Sequence, residues 1–352
     1  MAPRRTGKTT VCDAALDRLR GEGWYAASVD LMHPSGAAGL AQDINRALLG
    51  CRPQFRRALA EARNAWERLS DRVRAQALVD LGEGVTIAFG SKPAQVDPEA
   101  ALEAALSLPQ RLAEKDGRPV ALFIDELQEL AAPAAPFGDP ERLQARMRAI
   151  FQRSDRVSLL FAGSLEHAMR RVFSPDAPLG GFGGSYALSE ITAEEWEDGL
   201  SDRFMRAGIE PASGPVARLV ELGAGHPRAT MLIAAEALVA IREAGETALS
   251  DGVVALAWER ARAHDAERCR LLVERMRWLR VARGADLALR VARAIAEGEP
   301  PYGVGAHAEQ VKRVLGDLTD IGVAESRDRG VWRIADPILR AHLRIQPPGT
   351  RG

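Results

Sequence analysis

An apolar run that ends in two adjacent acids, residues 120–126 (VALFIDE), constrains the fold more than any other feature of the sequence. An apolar run of this length between turn residues is typical of a strand buried on both faces of a parallel sheet. The runs 24–29 and 157–162 predict two further strands, whereas 39–81 is predicted to be helical with a break near 51–53. Strands that alternate with helices predict an α/β fold with a doubly wound parallel sheet.

A glycine–lysine–threonine sequence stands near the start of the chain, directly before a segment with helical spacing. Residues 2–9 (APRRTGKT) match G-x-x-x-x-G-K-[ST] except at the first glycine, which is Ala2. In such a loop Gly7 lets backbone N–H groups approach phosphate oxygens at the N terminus of the following helix. Lys8 is predicted to bind the β- and γ-phosphates, and the Thr9 hydroxyl to complete a Mg²⁺ shell. The alternative is a basic tail that contains this sequence by chance. The predicted nucleotide-binding residues of the loop are Arg5, Thr6, Gly7, Lys8, Thr9 and Thr10.

The acid pair follows a strand at the edge of the sheet where open α/β folds bind their ligands. Asp125 is predicted to hold Mg²⁺, and Glu126 to orient or deprotonate an attacking water molecule. The next apolar run ends in Gly163 and Ser164, and Ser164 is a candidate sensor of the γ-phosphate. A plain strand-to-helix turn is the alternative for Ser164. The two motifs in this order predict Mg-ATP binding and hydrolysis of ATP to ADP and phosphate.

Length, charge and cysteine content limit the class of protein. The chain has 352 residues, enough for two or three domains, and a net charge of −1, so no overall field attracts nucleic acid or a membrane surface. Its three cysteines, Cys12, Cys51 and Cys269, have no metal-type spacing and favour a reducing compartment. No apolar run approaches the roughly 18 residues that span a bilayer. We therefore expect a soluble cytoplasmic protein without a membrane partner.

Four segments in this order, PRRTGKTT, FIDELQEL, LFAGSLEHAMRRVF and ELGAGHPRATML, resemble the archaeal-type AAA ATPases. That family belongs to the wider STAND and origin-recognition-like group of P-loop ATPases. Its Walker B strand typically ends in an acid pair, an apolar residue and glutamine, which residues 125–128 (DELQ) match. The resemblance covers nearly the whole chain.

The resemblance implies a helical lid after the sheet, with a Gly-x-Pro turn that closes over the nucleotide. Residues 225–228 (GHPR) occupy that place, so Pro227 is implied to contact the nucleotide. Arg228 resembles the sensor-2 arginine that reports the γ-phosphate to the lid, a role suited to an always-charged, bidentate guanidinium. The alternative is a surface arginine without defined contacts.

The end of the chain has the element order of a winged helix: two helices, a hairpin and a final helix. The family carries such a domain at this place. DNA binding through helix 307–321, with Arg327 and Arg329 on phosphates, is one reading. A mixed charge on that helix favours the other, a module that contacts the ATPase or a protein partner. The predicted domains are a P-loop core 1–190, a helical lid 191–283, a winged helix 284–346 and a tail 347–352.

Two features depart from the family pattern. Relatives carry an apolar strand before the P-loop, but this sequence reaches the loop directly after Met1. We expect either a start assigned too far downstream or a truncated form with an incomplete sheet. Relatives also often carry an arginine finger in the loop after Ser164, where this sequence has PLGG at 178–181 instead. The surrounding segment 174–186 is predicted to be a mobile loop. Slow turnover is therefore expected, or a finger from elsewhere, with Arg170 and Arg171 nearby in the sequence.

The leading functional hypothesis is a nucleotide-dependent molecular switch. ATP would bind between sheet and lid, and its hydrolysis would move the lid and the winged helix, with a possible nucleotide-dependent oligomer. The alternative is a DNA-binding regulator with a structural or inactive nucleotide site. The acid pair and the winged helix argue against a P-loop kinase.

Overall fold

A computed structural model shows two compact units, Lys8–Ala187 and Leu188–Gly352, each with its own hydrophobic core. The structure describes residues 7–32, 36–52, 77–80, 86–89, 97–131, 137–163, 166–186, 188–279, 286–328 and 330–345. Among them, no helix combines the length and the apolar character required to cross a bilayer.

The first unit combines helices with a three-stranded parallel sheet and a separate antiparallel strand pair. Its strands are β1 (Tyr25–Asp30), β2 (Ala77–Asp80), β3 (Thr86–Phe89), β4 (Val120–Asp125) and β5 (Val157–Phe161). Its helices are α1 (Lys8–Gly21), α2 (Ala37–Leu49), α3 (Pro98–Asp116), α4 (Pro140–Phe151) and α5 (Glu166–Val172), with a 3₁₀ turn at Leu127–Ala131. The parallel sheet has the order β1-β4-β5, so β1 and β5 are the edges of the described sheet.

Strand β4 lies at the centre of this sheet, and all six of its residues are buried. On one face, Phe123 packs in a small cluster with Leu16 of α1; on the other, Leu122 belongs to the main core with α2 and α3. Helices therefore cover both faces, which confirms the doubly wound α/β fold. The parallel register places Asp125 beside Asp30 at the carboxyl end of the sheet.

The predicted helix over 39–81 is only partly correct. Helix α2 ends at Leu49, and β2 pairs antiparallel with β3, with Ala77 opposite Phe89. The helical prediction for 77–80 was wrong because a short apolar segment fits either periodicity, and pairing with a later strand decides between them.

The segment 174–186 of the first unit is a series of turns that contact helix α4. Leu179 is fully buried, and the Arg148 guanidinium donates hydrogen bonds of 2.8 and 2.7 Å to the carbonyl oxygens of Pro178 and Gly180. These contacts give no support to the predicted mobile loop.

The second unit is mainly helical. Its elements are α6 (Ala193–Arg206), α7 (Ser213–Gly223), α8 (Pro227–Ala244), α9 (Asp251–His264), α10 (Ala266–Arg277), α11 (Leu287–Glu297), α12 (Ala308–Asp320), β6 (Ala324–Asp328), β7 (Val331–Ile334) and α13 (Pro337–Ile345), with a 3₁₀ turn at Pro301–Gly303. The order from α11 to α13 is the predicted two helices, hairpin and final helix. Trp332 on the hairpin packs, partly buried, against the core.

One hydrophobic cluster runs from Trp196 of α6 to Leu343 of α13. The helices predicted as a lid and the C-terminal module thus share a core within one unit. The predicted boundary between 283 and 284 stays a prediction, as does the incomplete sheet.

Candidate functional site

The start of helix α1 has the backbone of an anion-binding turn. Gly7 has a φ of +86°, a conformation that a residue with a side chain rarely adopts, and α1 begins at the next residue. The first N–H groups of a helix have no partner within it and carry a partial positive charge. The first turn of α1 contains no acidic residue and begins with Lys8. This helix end is therefore suited to an external anion rather than to an acidic side chain of its own.

Thr9 and Asp125 meet at this helix end although 116 residues separate them. The Thr9 hydroxyl donates a hydrogen bond of 2.7 Å to Asp125 Oδ2, and the Asp125 side chain is almost fully buried. The other carboxylate oxygen, Oδ1, accepts a 2.9 Å hydrogen bond from the backbone N–H of Glu126. The structure thus brings together the two residues that the sequence predicts as metal ligands.

A hydroxyl beside a carboxylate fits Mg²⁺, a hard cation that prefers oxygen ligands. Mg²⁺ usually binds through one or two carboxylates, with water and substrate phosphates completing its shell. The described residues include no group of three or more His, Cys, Asp or Glu that could hold a metal alone. The donor set therefore fits a magnesium ion bound together with phosphates rather than in a protein cage.

Glu126 follows Asp125 in a left-handed backbone conformation, with a φ of +53°. Non-glycine residues in this region store strain, and such residues cluster at functional sites. The Glu126 side chain is half-buried and accepts a hydrogen bond from the side-chain amide of Gln128. A half-exposed carboxylate held in this way can act on a solvent molecule.

Gln128 is buried, with 3% of its surface exposed, and it packs against the end of β5. A Cβ atom at Gly163 would collide with Gln128 Oε1 and with the Met169 sulfur. The backbone N–H of Leu127 also donates a 2.8 Å hydrogen bond to the Ala162 carbonyl. The end of β5 thus supports the turn that carries Glu126. The match of Gln128 to the family motif is the one sequence signal for this role, because its residue type alone indicates none.

The remaining predicted residues of the loop are only partly described. Lys8 is half-buried, and Thr9 and Thr10 are largely exposed, so the helix end is open to solvent. Arg5, Thr6 and Ser164 lie outside the described residues.

The predicted lid residues belong to the second unit. Pro227 is the first residue of α8, and His226 caps the helix by accepting a 3.2 Å hydrogen bond from the backbone N–H of Ala229. The Arg228 guanidinium binds both carboxylate oxygens of Asp265, one of them at 2.7 Å. Arg228 is therefore not a surface arginine without defined contacts, and its place at a phosphate stays a prediction.

Asp265 is part of a buried ion-pair cluster that also includes Arg228, Arg268 and Asp336. Arg268 Nε donates a 2.7 Å hydrogen bond to Asp265, and its Nη2 donates another to Asp336. Only 2% of Asp265 and 5% of Asp336 are exposed. Asp336 also accepts a 2.9 Å hydrogen bond from the backbone N–H of Ile338 at the start of α13. The cluster therefore joins α8, α10 and α13.

Comparison with known proteins places the fold. No protein-family model and no curated protein matches the amino-acid sequence. A solved Walker-type ATPase of Pyrococcus abyssi is similar over 98% of this chain and 89% of its own, with 16% identity and a TM-score of 0.67. The ORC2 protein of Aeropyrum pernix, solved as ADPNP–ADP complexes, is similar over 97% of this chain and 83% of its own, with 17% identity and a TM-score of 0.60. The fold is that of a Walker-type ATPase.

Burial and two arginine partners determine the protonation state of Asp265. Burial alone raises the pKa of Asp265, but hydrogen bonds from Arg228 and Arg268 outweigh it and lower the pKa from 3.8 to about 2. Asp265 is therefore a carboxylate at every physiological pH. No local sequence pattern marks this cluster, because its acids resemble ordinary helix-end residues.

Proposed function

We propose that this chain binds Mg-ATP and hydrolyses it as a nucleotide-dependent switch of the AAA/STAND type. The hydrogen bond from Thr9 to Asp125 carries the proposal, because it brings a metal-binding carboxylate to the phosphate-binding end of α1. The positive φ of Gly7 supports it, because it allows the backbone to approach a phosphate. The Walker-type fold supports it independently.

Each residue of the site has a separate task in this proposal. Lys8 pairs with the β- and γ-phosphates, and Arg5, Thr6 and Thr10 contribute to the loop around them. Thr9 and Asp125 hold Mg²⁺, which supplies positive charge to the phosphate oxygens.

Glu126 accepts a proton from a water molecule whose oxygen attacks the γ-phosphorus. The bond from that phosphorus to the bridging oxygen breaks, and ADP and phosphate leave. Gln128 keeps the Glu126 carboxylate in place, and Ser164 is proposed to sense the γ-phosphate.

The proposed switch depends on Arg228. As a sensor of the γ-phosphate, its guanidinium has to exchange Asp265 for a phosphate oxygen, and Pro227 contacts the nucleotide. If Arg228 leaves the cluster, Arg268 is the one arginine among the described residues that still pairs with Asp265 and Asp336. Asp336 also caps α13, so this change affects the start of that helix. The contacts between α8, α10 and α13 then change with the nucleotide state. A protein partner, DNA or another copy of the chain would respond to that change.

The Lys8→Ala variant tests the site. Removal of the ammonium group should weaken ATP binding by at least about tenfold, because a charge-assisted contact is worth roughly 1.5–3 kcal/mol. Calorimetric titration with Mg-ATP measures the affinity. Lys312→Ala removes an exposed lysine of the second unit and should leave the affinity unchanged. Equal ATP affinities of the Lys8→Ala variant and the natural chain would refute the proposed site.

A further inference from the structure

A basic pocket lies within the second unit, between helices α7, α9 and α13. Its volume is about 330 Å³, which falls in the range of small-molecule sites. Most of its polar lining is arginine, with one acid and one aromatic ring. These side chains are Arg218, Glu221, Trp258, Arg262, Arg340 and Arg344.

Helical spacing places these arginines on faces that turn away from the core. Arg340 and Arg344 are one turn apart on α13, whereas the other face of α13, with Leu339 and Leu343, is buried in the core. Trp258 and Arg262 are likewise one turn apart on α9. The pocket is therefore formed by three packed helices rather than by loops.

The lining carries more positive charge than its own acids neutralise. Glu221 pairs with Arg218, and Arg262 pairs with Glu259 through hydrogen bonds of 2.7 and 2.9 Å. The Arg344 guanidinium donates a 2.7 Å hydrogen bond to a backbone carbonyl but has no acidic partner among the described residues. Two cations one helical turn apart repel each other, so an anion between them is favourable.

Arg340 gives the most direct indication that the pocket suits an anion. Its side chain is half-buried in the pocket, and within the described ranges its guanidinium forms no hydrogen bond and no ion pair. A guanidinium removed from water without a partner loses hydration without compensation. The neighbouring His342 is consistent with a positive field: burial, and then the charge of Arg262, lower its pKa.

We propose that this pocket binds a small molecule that carries a phosphate or diphosphate group, separately from the proposed ATP site. Guanidinium groups match phosphate oxygens in pairs, and Arg340 and Arg344 present two of them from one helix face. A concave site between three helices suits a compact ligand. The bound ligand stabilises α13 by neutralising its two unpaired charges.

Inorganic pyrophosphate is the probe, titrated at low salt into the full chain that carries Lys8→Ala. That substitution weakens binding at the proposed ATP site, and calorimetry measures the pyrophosphate binding that remains. In this background, Arg340→Ala and Arg344→Ala should each weaken pyrophosphate binding by about tenfold or more. Arg206→Ala removes an exposed arginine of α6, paired at i,i+4 with Asp202, and should leave the affinity unchanged. Circular dichroism and the Tm show that each variant is folded.

Two results would overturn the proposal. One is pyrophosphate binding that Arg340→Ala and Arg344→Ala leave unchanged in folded protein, or no binding at millimolar concentration. The other is Arg340-dependent binding of a 20-base-pair duplex without binding of pyrophosphate, because the surface would then contact a nucleic-acid backbone. Binding of pyrophosphate, and of ribose 5-phosphate as an organic phosphate, supports the pocket. Failure of the proposed ATP site would leave this result unchanged, because the dependence of binding on Arg340 and Arg344 distinguishes the pocket from the weakened ATP site.

Discussion

Arg228 and Asp265 form a two-point ion pair across 37 residues of the second unit, and the carboxylate is almost completely buried. The arginine that is implied to be a phosphate sensor thus has a carboxylate partner within its own unit. A competition between Asp265 and a phosphate oxygen for one guanidinium is a physical basis for a two-state element.

The Asp265→Asn variant should destabilise the second unit. It leaves Arg228 and Arg268 without their common carboxylate, and loss of one partner from a buried pair costs about 3–5 kcal/mol. Urea unfolding at pH 7 measures the free energy of unfolding. Asp202→Asn, in an exposed pair with Arg206, should cost less than about 1 kcal/mol. Equal effects of the two substitutions would contradict the importance of the buried cluster.

The same carboxylate predicts a difference in acid stability. Its pKa is lowered in the folded chain from 3.8 to about 2, so its stabilisation is complete above pH 3.8 and is lost as the pH falls towards 2. At roughly 1.4 kcal/mol per pKa unit, this amounts to about 2 kcal/mol. The Asp265→Asn variant should lack that part of the acid-induced loss. If the free energy of unfolding falls by the same amount in the two proteins between pH 4 and 2, the lowered pKa is contradicted.

The sequence predicts the parts of the site that depend on local pattern. The buried strand β4 and its terminal Asp125 follow from the apolar run and the acid after it, because burial and strand ends are local properties. Arg268 and Asp336 pair across 68 residues, and nothing in either local sequence marks the other as a partner. The order of the chain alone could not reveal that cluster. For the same reason, the contacts of Arg148 with the turns around Leu179 were missed.

Glu126→Gln should separate ATP binding from hydrolysis. The amide keeps the size of the side chain but cannot accept a proton from water, so phosphate release should fall by about 100-fold or more. The ATP affinity should change by less than about threefold, because Lys8, Thr9 and Asp125 are unaltered. Single-turnover phosphate release and calorimetry measure the two quantities. Unchanged phosphate release would remove Glu126 from the catalytic role.

This ATP-retaining variant also tests the switch. Amide hydrogen exchange in α8 and α13 should differ between the ATP-bound and ADP-bound forms if Arg228 leaves Asp265 in one of them. If exchange in both helices is identical in the ATP-bound and ADP-bound forms, the nucleotide does not affect the ion-pair cluster.

Gln128→Leu should lower the rate of hydrolysis without a matching loss of ATP affinity. Leucine fills similar space but cannot donate the hydrogen bond that the Gln128 amide gives to Glu126. We expect kcat to fall by about tenfold, as for a lost hydrogen bond of roughly 1.4 kcal/mol, and KM to change little. Gln144→Leu replaces another buried glutamine, on α4, and controls for general destabilisation. A parallel rise in KM would indicate that Gln128 supports nucleotide binding rather than the position of Glu126.

Gly163→Ala should also disturb the position of the Glu126 carboxylate, through its effect on Gln128. The new methyl group would collide with Gln128 Oε1 and with the Met169 side chain, so both have to move. Overpacking of this kind costs about 1–3 kcal/mol, and the displaced Gln128 no longer holds Glu126. Gly184→Ala adds a methyl group with no atom within 4 Å, at a residue without a positive φ, and should be neutral. Thermal unfolding and phosphate release distinguish the two variants. If Gly163→Ala lowers the Tm but leaves kcat intact, the end of β5 supports the fold but not the position of Glu126.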